Sequence, residues 1–131
     1  MITIFVLHVV LFSSVALALS MLPRPTRAVG FYVYMSVVLL VGGFLGNAYS
    51  LPIADSVTVS GGNLAYGAFM LTAVLFVLAE RDVFILRRLI LLVVAVDAFN
   101  ILLSLLITQT IGTSGTINPH GTPAALFENA I

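Results

Sequence analysis

The sequence predicts an all-α fold, a polytopic transmembrane helical bundle with four spans and a fifth helix beginning near the C-terminus. Hydrophobic residues fill 61% of the 131 positions and charged residues only 8%, against roughly 25% charged in soluble domains. The apolar residues gather into four runs, each near the ~20 residues that carry a helix across the hydrocarbon core. Prolines, glycine pairs and charges separate the runs and interrupt helices there. Backbone amides and carbonyls find no water in lipid, so each run has to pair them internally, as a helix does. A transmembrane barrel would need short segments of alternating polarity, which differ from these long continuous runs.

The first helix is expected over about Ile2 to Ser20. VALALS, Val15–Ser20, has the small-x-small pattern of a signal cleavage site. No basic region precedes the run, however, and the run is long for a signal peptide, so a retained span is expected. LPRPTRAVG, 22–30, breaks the chain with two prolines and a glycine, and the second helix follows over about Phe31 to Leu51. LPIADSVTVSGG, 51–62, makes the next break, with Gly61 and Gly62 turning the backbone and Asn63 capping the third helix, about Asn63 to Glu80. Glu80-Arg81-Asp82 reads as a tight turn of solvated charge, with pairing of Arg81 or Asp82 to another helix as the alternative. It makes a hairpin of the third helix and the fourth, about Val83 to Thr108. Near the end, Thr122 reads as an N-cap and Pro123 as a first helical position. A helix thus starts there, and residues 1–131 read as one incomplete domain of a longer protein.

The positive charges are five arginines, Arg24, Arg27, Arg81, Arg87 and Arg88, all in or beside the first and third connections. The positive-inside rule puts those connections in the cytoplasm. The expectation is therefore a multi-pass protein of the bacterial inner membrane with its N-terminus outside. Arg87 and Arg88, a turn inside the fourth span, reach back to the headgroups along their own stems.

Polar side chains in hydrocarbon are costly, so their placement needs a reason. Asp97 sits near the middle of the fourth span, and Asn100, Ser104 and Thr108 follow it on the same helical face. Asn47, Tyr49 and Ser50 end the second span at the outer side, Asn63 and Tyr66 open the third, and His8 falls in the outer half of the first. The candidate ligand-binding set is Asn47, Asn63, Tyr66, Asp97, Asn100 and Ser104, facing one another near the outer leaflet. For Asn63 the plainer role is a helix cap, for His8 a hydrogen bond to a neighbouring helix, and for Asp97 a structural bond to Asn47 or Tyr66. Gly42 and Gly46 form a GxxxG ridge, and Ala65, Ala68 and Thr72 line one side of the third span, so these five are expected to pack helices closely.

Other chemistries find no residues to carry them. The sequence contains no Walker loop, nucleotide fingerprint, HExxH or clustered Ser-His-Asp set. With no cysteine and two isolated histidines, no metal site is expected. A formal net charge of +0 gives no basic footprint for nucleic acid. No catalytic residue, cofactor or enzymatic activity is expected, and the bilayer is the predicted partner.

The segments GGFLGNAYS, VTVSGGNLAYGAFMLTAVLFVLAERD and NPHGTP together resemble the vitamin uptake-like sensor domain, a membrane module at the N-terminus of bacterial diguanylate cyclases and histidine kinases. That family is itself similar to putative vitamin uptake and queuosine-precursor transporters. The resemblance runs from about Phe31 onward and is carried by Gly61, Gly62, Asn63, Tyr66, Gly67, Glu80, Arg81 and Asp82, none of which it assigns to a ligand. It implies a helical bundle of about six spans with a pocket for a small polar or heteroaromatic molecule, coupled in the signalling members to a cytoplasmic output domain. Two other functions compete with sensing. A transporter would bind the same molecule and be favoured by helices broken at mid-membrane. An anchor would homodimerise through the GxxxG ridge.

Overall fold

The computed structural model describes residues 1–128. Four helices are long and apolar enough to cross a membrane: α1 (Ile2–Ser20), α2 (Thr26–Ala48), α3 (Gly61–Glu80) and α4 (Ile85–Gly112). A two-stranded antiparallel hairpin, β1 (Ser50–Ala54) and β2 (Val57–Ser60), joins α2 to α3, and a single turn, α5 (Ala125–Glu128), folds back onto α2 and α4. Large apolar side chains such as Leu7, Leu71, Leu91 and Leu102 lie exposed along the helices. Helices apolar all round suit a lipid surround.

Helix bounds depart from the sequence expectation where polar residues continue a helix past the apolar run. α2 starts at Thr26 rather than Phe31, directly after Pro25, whose fixed φ suits a helix entry. It ends at Ala48 rather than Leu51, because Tyr49 is extended and Ser50 begins the hairpin. α4 runs on to Gly112, about 42 Å in all and longer than the ~30 Å hydrocarbon core.

The hairpin was not among the expected elements. Val57, Thr58 and Val59 are β-branched or alternate in the way strands do, Asp55-Ser56 makes the turn, and Pro52 occupies an edge position that requires no donor. Ser50 pairs with Ser60, Leu51 with Val59 and Pro52 with Thr58, and the register then slips between Pro52 and Ala54. The ladder ends with the Gly61 amide donating to the Tyr49 carbonyl at 3.0 Å.

The hairpin also changes the start of α3. The cap is Ser60, whose hydroxyl accepts from the Asn63 amide at 3.1 Å, so Asn63 is a first-turn residue and not the cap. Gly61 and Gly62 do not turn the chain either. They are helical, and the positive-φ glycines among the described residues are Gly115 and Gly121. What the pair provides is close approach. A Cβ on Gly62 would stand 2.9 Å from the Gly46 Cα and 3.0 Å from the Gly42 carbonyl oxygen, and one on Gly61 would stand 2.9 Å from the Tyr49 ring. Gly42 in turn faces Ala65, at 3.0 Å from an added Cβ. The GxxxG ridge is therefore used within the chain, in the α2–α3 contact. Ala68 and Thr72 depart from that set and line a groove between α1 and α3.

The two ends of the bundle are built differently. At the end holding the α1–α2 and α3–α4 connections, Phe31, Met35, Phe76, Ile85 and Leu89 form a buried core, with Phe31 stacked on Phe76 at 4.7 Å and Tyr32 edge-on to it at 4.9 Å. Glu80 closes this end. Its carboxylate meets Arg27 Nε at 2.7 Å and Arg24 Nε at 3.0 Å, while the two guanidiniums also donate to the Ala79 and Glu80 carbonyls. Thus Glu80, with a side chain only 12% exposed, is an interhelical tie rather than a solvated turn charge. Arg81 adopts the left-handed conformation that ends α3, and Asp82 Oδ1 accepts from the Phe84 amide.

Candidate functional site

At the hairpin end, polar groups replace the aromatic core. α4 presents Asn100, Ser104 and Thr108 at four-residue intervals, so the three stand in line about 6 Å apart. Asn100 is 5% and Ser104 1% exposed. Asn100 Oδ1, Ser104 Oγ and Thr108 Oγ1 are all buried without a hydrogen-bond partner among the described residues. A buried polar atom left unpaired costs about 1–3 kcal/mol, and hydrocarbon supplies no water to relieve it. Three in a row on one helix set this face apart from the rest of the molecule.

α2 provides the opposite wall. A Cβ on Gly43 would collide with Asn100 Nδ2, so the glycine makes room for the amide. One turn further on, Asn47 Nδ2 donates to the Leu126 carbonyl at 3.4 Å, and Phe44 meets Phe127 edge-to-face at 5.5 Å. α5 therefore rests on both helices that flank the polar line. Its onset differs in detail from the expectation. Asn118 clips the Thr122 backbone from both sides, donating Nδ2 to the carbonyl and accepting the amide on Oδ1. No side-chain cap is formed by Thr122, and the helix is assigned from Ala125, two residues after Pro123.

The six candidate ligand residues are distributed unevenly. Asn47, Asn100 and Ser104 share the α2–α4 seam. Asp97 is half-buried, a turn before Asn100, and feels the Tyr66 phenol across the α3–α4 side as an electrostatic neighbour. Among the described residues, Asp97 and Tyr66 interact electrostatically and not through a hydrogen bond. Asn63 is not brought to this group: it is exposed and lines the α1–α3 groove. His8 is engaged elsewhere, with Nδ1 donating to the Ile4 carbonyl and Nε2 accepting from the Tyr49 hydroxyl, both at 2.8 Å.

The groove between α1 and α3 has a volume of about 340 Å³ and is walled by Phe12, Ala16, Leu64, Leu71 and Leu75. Its one deeply buried hydroxyl, Thr72, already donates to the Ala68 carbonyl at 2.6 Å. The groove therefore offers apolar volume with little directional bonding, whereas the α2–α4 seam offers directional bonding in a closed, packed state. The seam is the better candidate, because unpaired polar groups single out a ligand and apolar volume does not.

Sequence reasoning missed three parts of this site. Gly43 was recognisable as a glycine in a span, but its partner lies 57 positions away. Leu126 and Phe127 sat beyond the last expected span. No group of three or more His, Cys, Asp or Glu that could hold a metal occurs among the described residues. No protein-family model, curated protein or solved structure matches this chain, and the site is therefore read from its own geometry.

Proposed function

We propose that this chain is a membrane-embedded sensory domain for a small polar or heteroaromatic molecule, the N-terminal input module of a bacterial signalling protein such as a diguanylate cyclase or histidine kinase. In this reading it lies in the inner membrane with the arginine end in the cytoplasm and the hairpin end outside, as the positive-inside rule favours. The observation that carries it is the line of unpaired buried atoms, Asn100 Oδ1, Ser104 Oγ and Thr108 Oγ1. A ligand that completes those bonds would bind a state in which α4 and α2 accommodate it, and that differential affinity is what biases a two-state receptor. α5 lies across the seam on both α2 and α4, joined to α2 by the Phe44–Phe127 contact and the Asn47–Leu126 hydrogen bond.

Two observations weigh against the competing readings. α2 is one continuous helix through Gly42, Gly43 and Gly46, without the mid-membrane break that would favour transport. Gly42 is buried against Ala65 within the chain, which removes half of the ridge that an anchor would use to dimerise.

The test is thermal stabilisation of the purified chain in nanodiscs by a panel of heteroaromatic vitamins and nucleobases. A compound that raises the Tm of the wild type and leaves Asn100→Leu and Asp97→Leu unmoved supports the reading. One that stabilises all three equally removes the seam from the site. Accumulation of that compound inside proteoliposomes would replace sensing by transport.

A further inference from the structure

Resting on the sensory reading, we propose that the polar face of α4, from Asp97 on its α3 side to Asn100 and Ser104 in the α2–α4 seam, takes an organic cation bearing N–H donors, such as a primary ammonium or an amidinium on a small ring, with Asp97 as its counter-ion. The carboxylate of Asp97 has no ion-pair or hydrogen-bond partner among the described residues, and its electrostatic neighbour is the neutral Tyr66 phenol. Twelve residues into α4, it lies about 18 Å from the helix start, at a depth where an acidic side chain ordinarily pairs with a positive group. The sequence places no basic side chain at this level of α4. It has no lysine, and its five positive charges are arginines at positions 24, 27, 81, 87 and 88, in or beside the two connections at the opposite end. Arg24 and Arg27 are committed to Glu80. At the hairpin end His8 is held between Ile4 and Tyr49, the side-chain charges Asp55 and Glu128 are negative, and the positive group among the described residues is the terminal ammonium of Met1, at the exposed start of α1.

The neighbouring atoms ask for the same chemistry. Asn100 Oδ1, an obligate acceptor, is buried and unpaired one turn from Asp97, and the Ser104 hydroxyl follows it. Both can receive N–H groups from a ligand whose charge sits at Asp97. Tyr66, 43% exposed and within electrostatic reach of Asp97, offers a ring face on which a cation is attracted. A carboxylate or phosphate ligand would meet Asp97 with no basic side chain to offset the repulsion.

The chain contains no cysteine, so single thiols report the local field directly. In the full chain in proteoliposomes, Asn100→Cys and Ser104→Cys are modified with 2-aminoethyl methanethiosulfonate, a cation, and 2-sulfonatoethyl methanethiosulfonate, an anion. Each rate is normalised to Ser114→Cys, on the exposed segment after α4. The normalised cation-to-anion ratio is expected to be about tenfold or more, to fall to near unity when Asp97→Asn is added, and to be retained with Asp97→Glu. Equal rates with both reagents overturn the cationic class and leave the seam standing as a site. A thiol that neither reagent reaches, in a chain that remains monodisperse, overturns the seam itself and this inference with it.

Discussion

The arginine end and the hairpin end of one bundle solve the same problem in opposite ways. At the arginine end, Phe31, Met35, Phe76 and Leu89 fill the interior, and Glu80 is tied to both arginines of the first connection. One buried polar atom there, the Tyr32 hydroxyl, lacks a partner among the described residues. At the hairpin end, helices meet through glycine backbones, and three consecutive polar groups of α4 are unpaired. Aromatic packing and satisfied ion pairs hold one arrangement, whereas unpaired polar atoms leave free energy to be gained by a change of state or a ligand.

The largest effect should come from the glycine seam that links the two ends. Gly62→Val places side-chain atoms against the Gly46 and Gly42 backbone, which cannot yield as a flexible side chain would. Loss of the monodisperse folded species in detergent is expected, measured by size-exclusion chromatography. Gly67→Ala, which meets nothing within 4 Å, should leave the elution profile and Tm unchanged. A folded Gly62→Val protein would break the claim that backbone contact holds α2 to α3.

Next is the tie at the arginine end. Glu80→Gln keeps the shape and leaves two guanidiniums facing a neutral amide, so the Tm in detergent should drop by about 5 °C. High salt should narrow the difference only slightly, because Glu80 and Arg27 are mostly buried, with side chains 12% and 17% exposed. An unchanged Tm would mean that this end is no more firmly held than the other.

The hairpin end should respond with the opposite sign. Ser104→Ala removes a fully buried hydroxyl that has no partner among the described residues, so stability should rise by about 1 kcal/mol, seen as a higher Tm. A loss instead would show that the hydroxyl is bonded in the membrane and that the contrast between the ends is overstated. The smallest effect on stability is expected from Phe127→Ala, which removes the α5 ring contact with Phe44. Its Tm should move by no more than a degree or two, while modification of Ser104→Cys by the cationic thiosulfonate reagent accelerates. Protection equal to that of the intact α5 would remove α5 as a cover for the seam.

Much of the fold was legible because membrane helices are set by local composition. Apolar run length located four spans, and Ile2–Ser20 agrees at both ends with α1. The β-hairpin was readable in principle from Val57-Thr58-Val59 and the Asp55-Ser56 turn, but a strong helical context on both sides obscured so short a signal. The polar face of α4 followed from helical spacing alone. Its companions did not: Asn63, placed with Asp97 by depth, turns to the α1 side, since depth says nothing about which neighbour a helix face meets.

Composition and spacing alone place this protein in a bilayer, locate its helix ends to within a few residues, and gather its basic residues at one end. Those properties depend on transfer from water to hydrocarbon and on spacing along a single helix. That Gly43 accommodates Asn100, that Glu80 binds Arg24 and Arg27, and that Gly42 serves an internal contact emerged from the three-dimensional packing alone. The reason is physical. Helix rotation and pairing in a membrane rest on short-range packing and hydrogen bonds between residues tens of positions apart, and no local pattern encodes those distances.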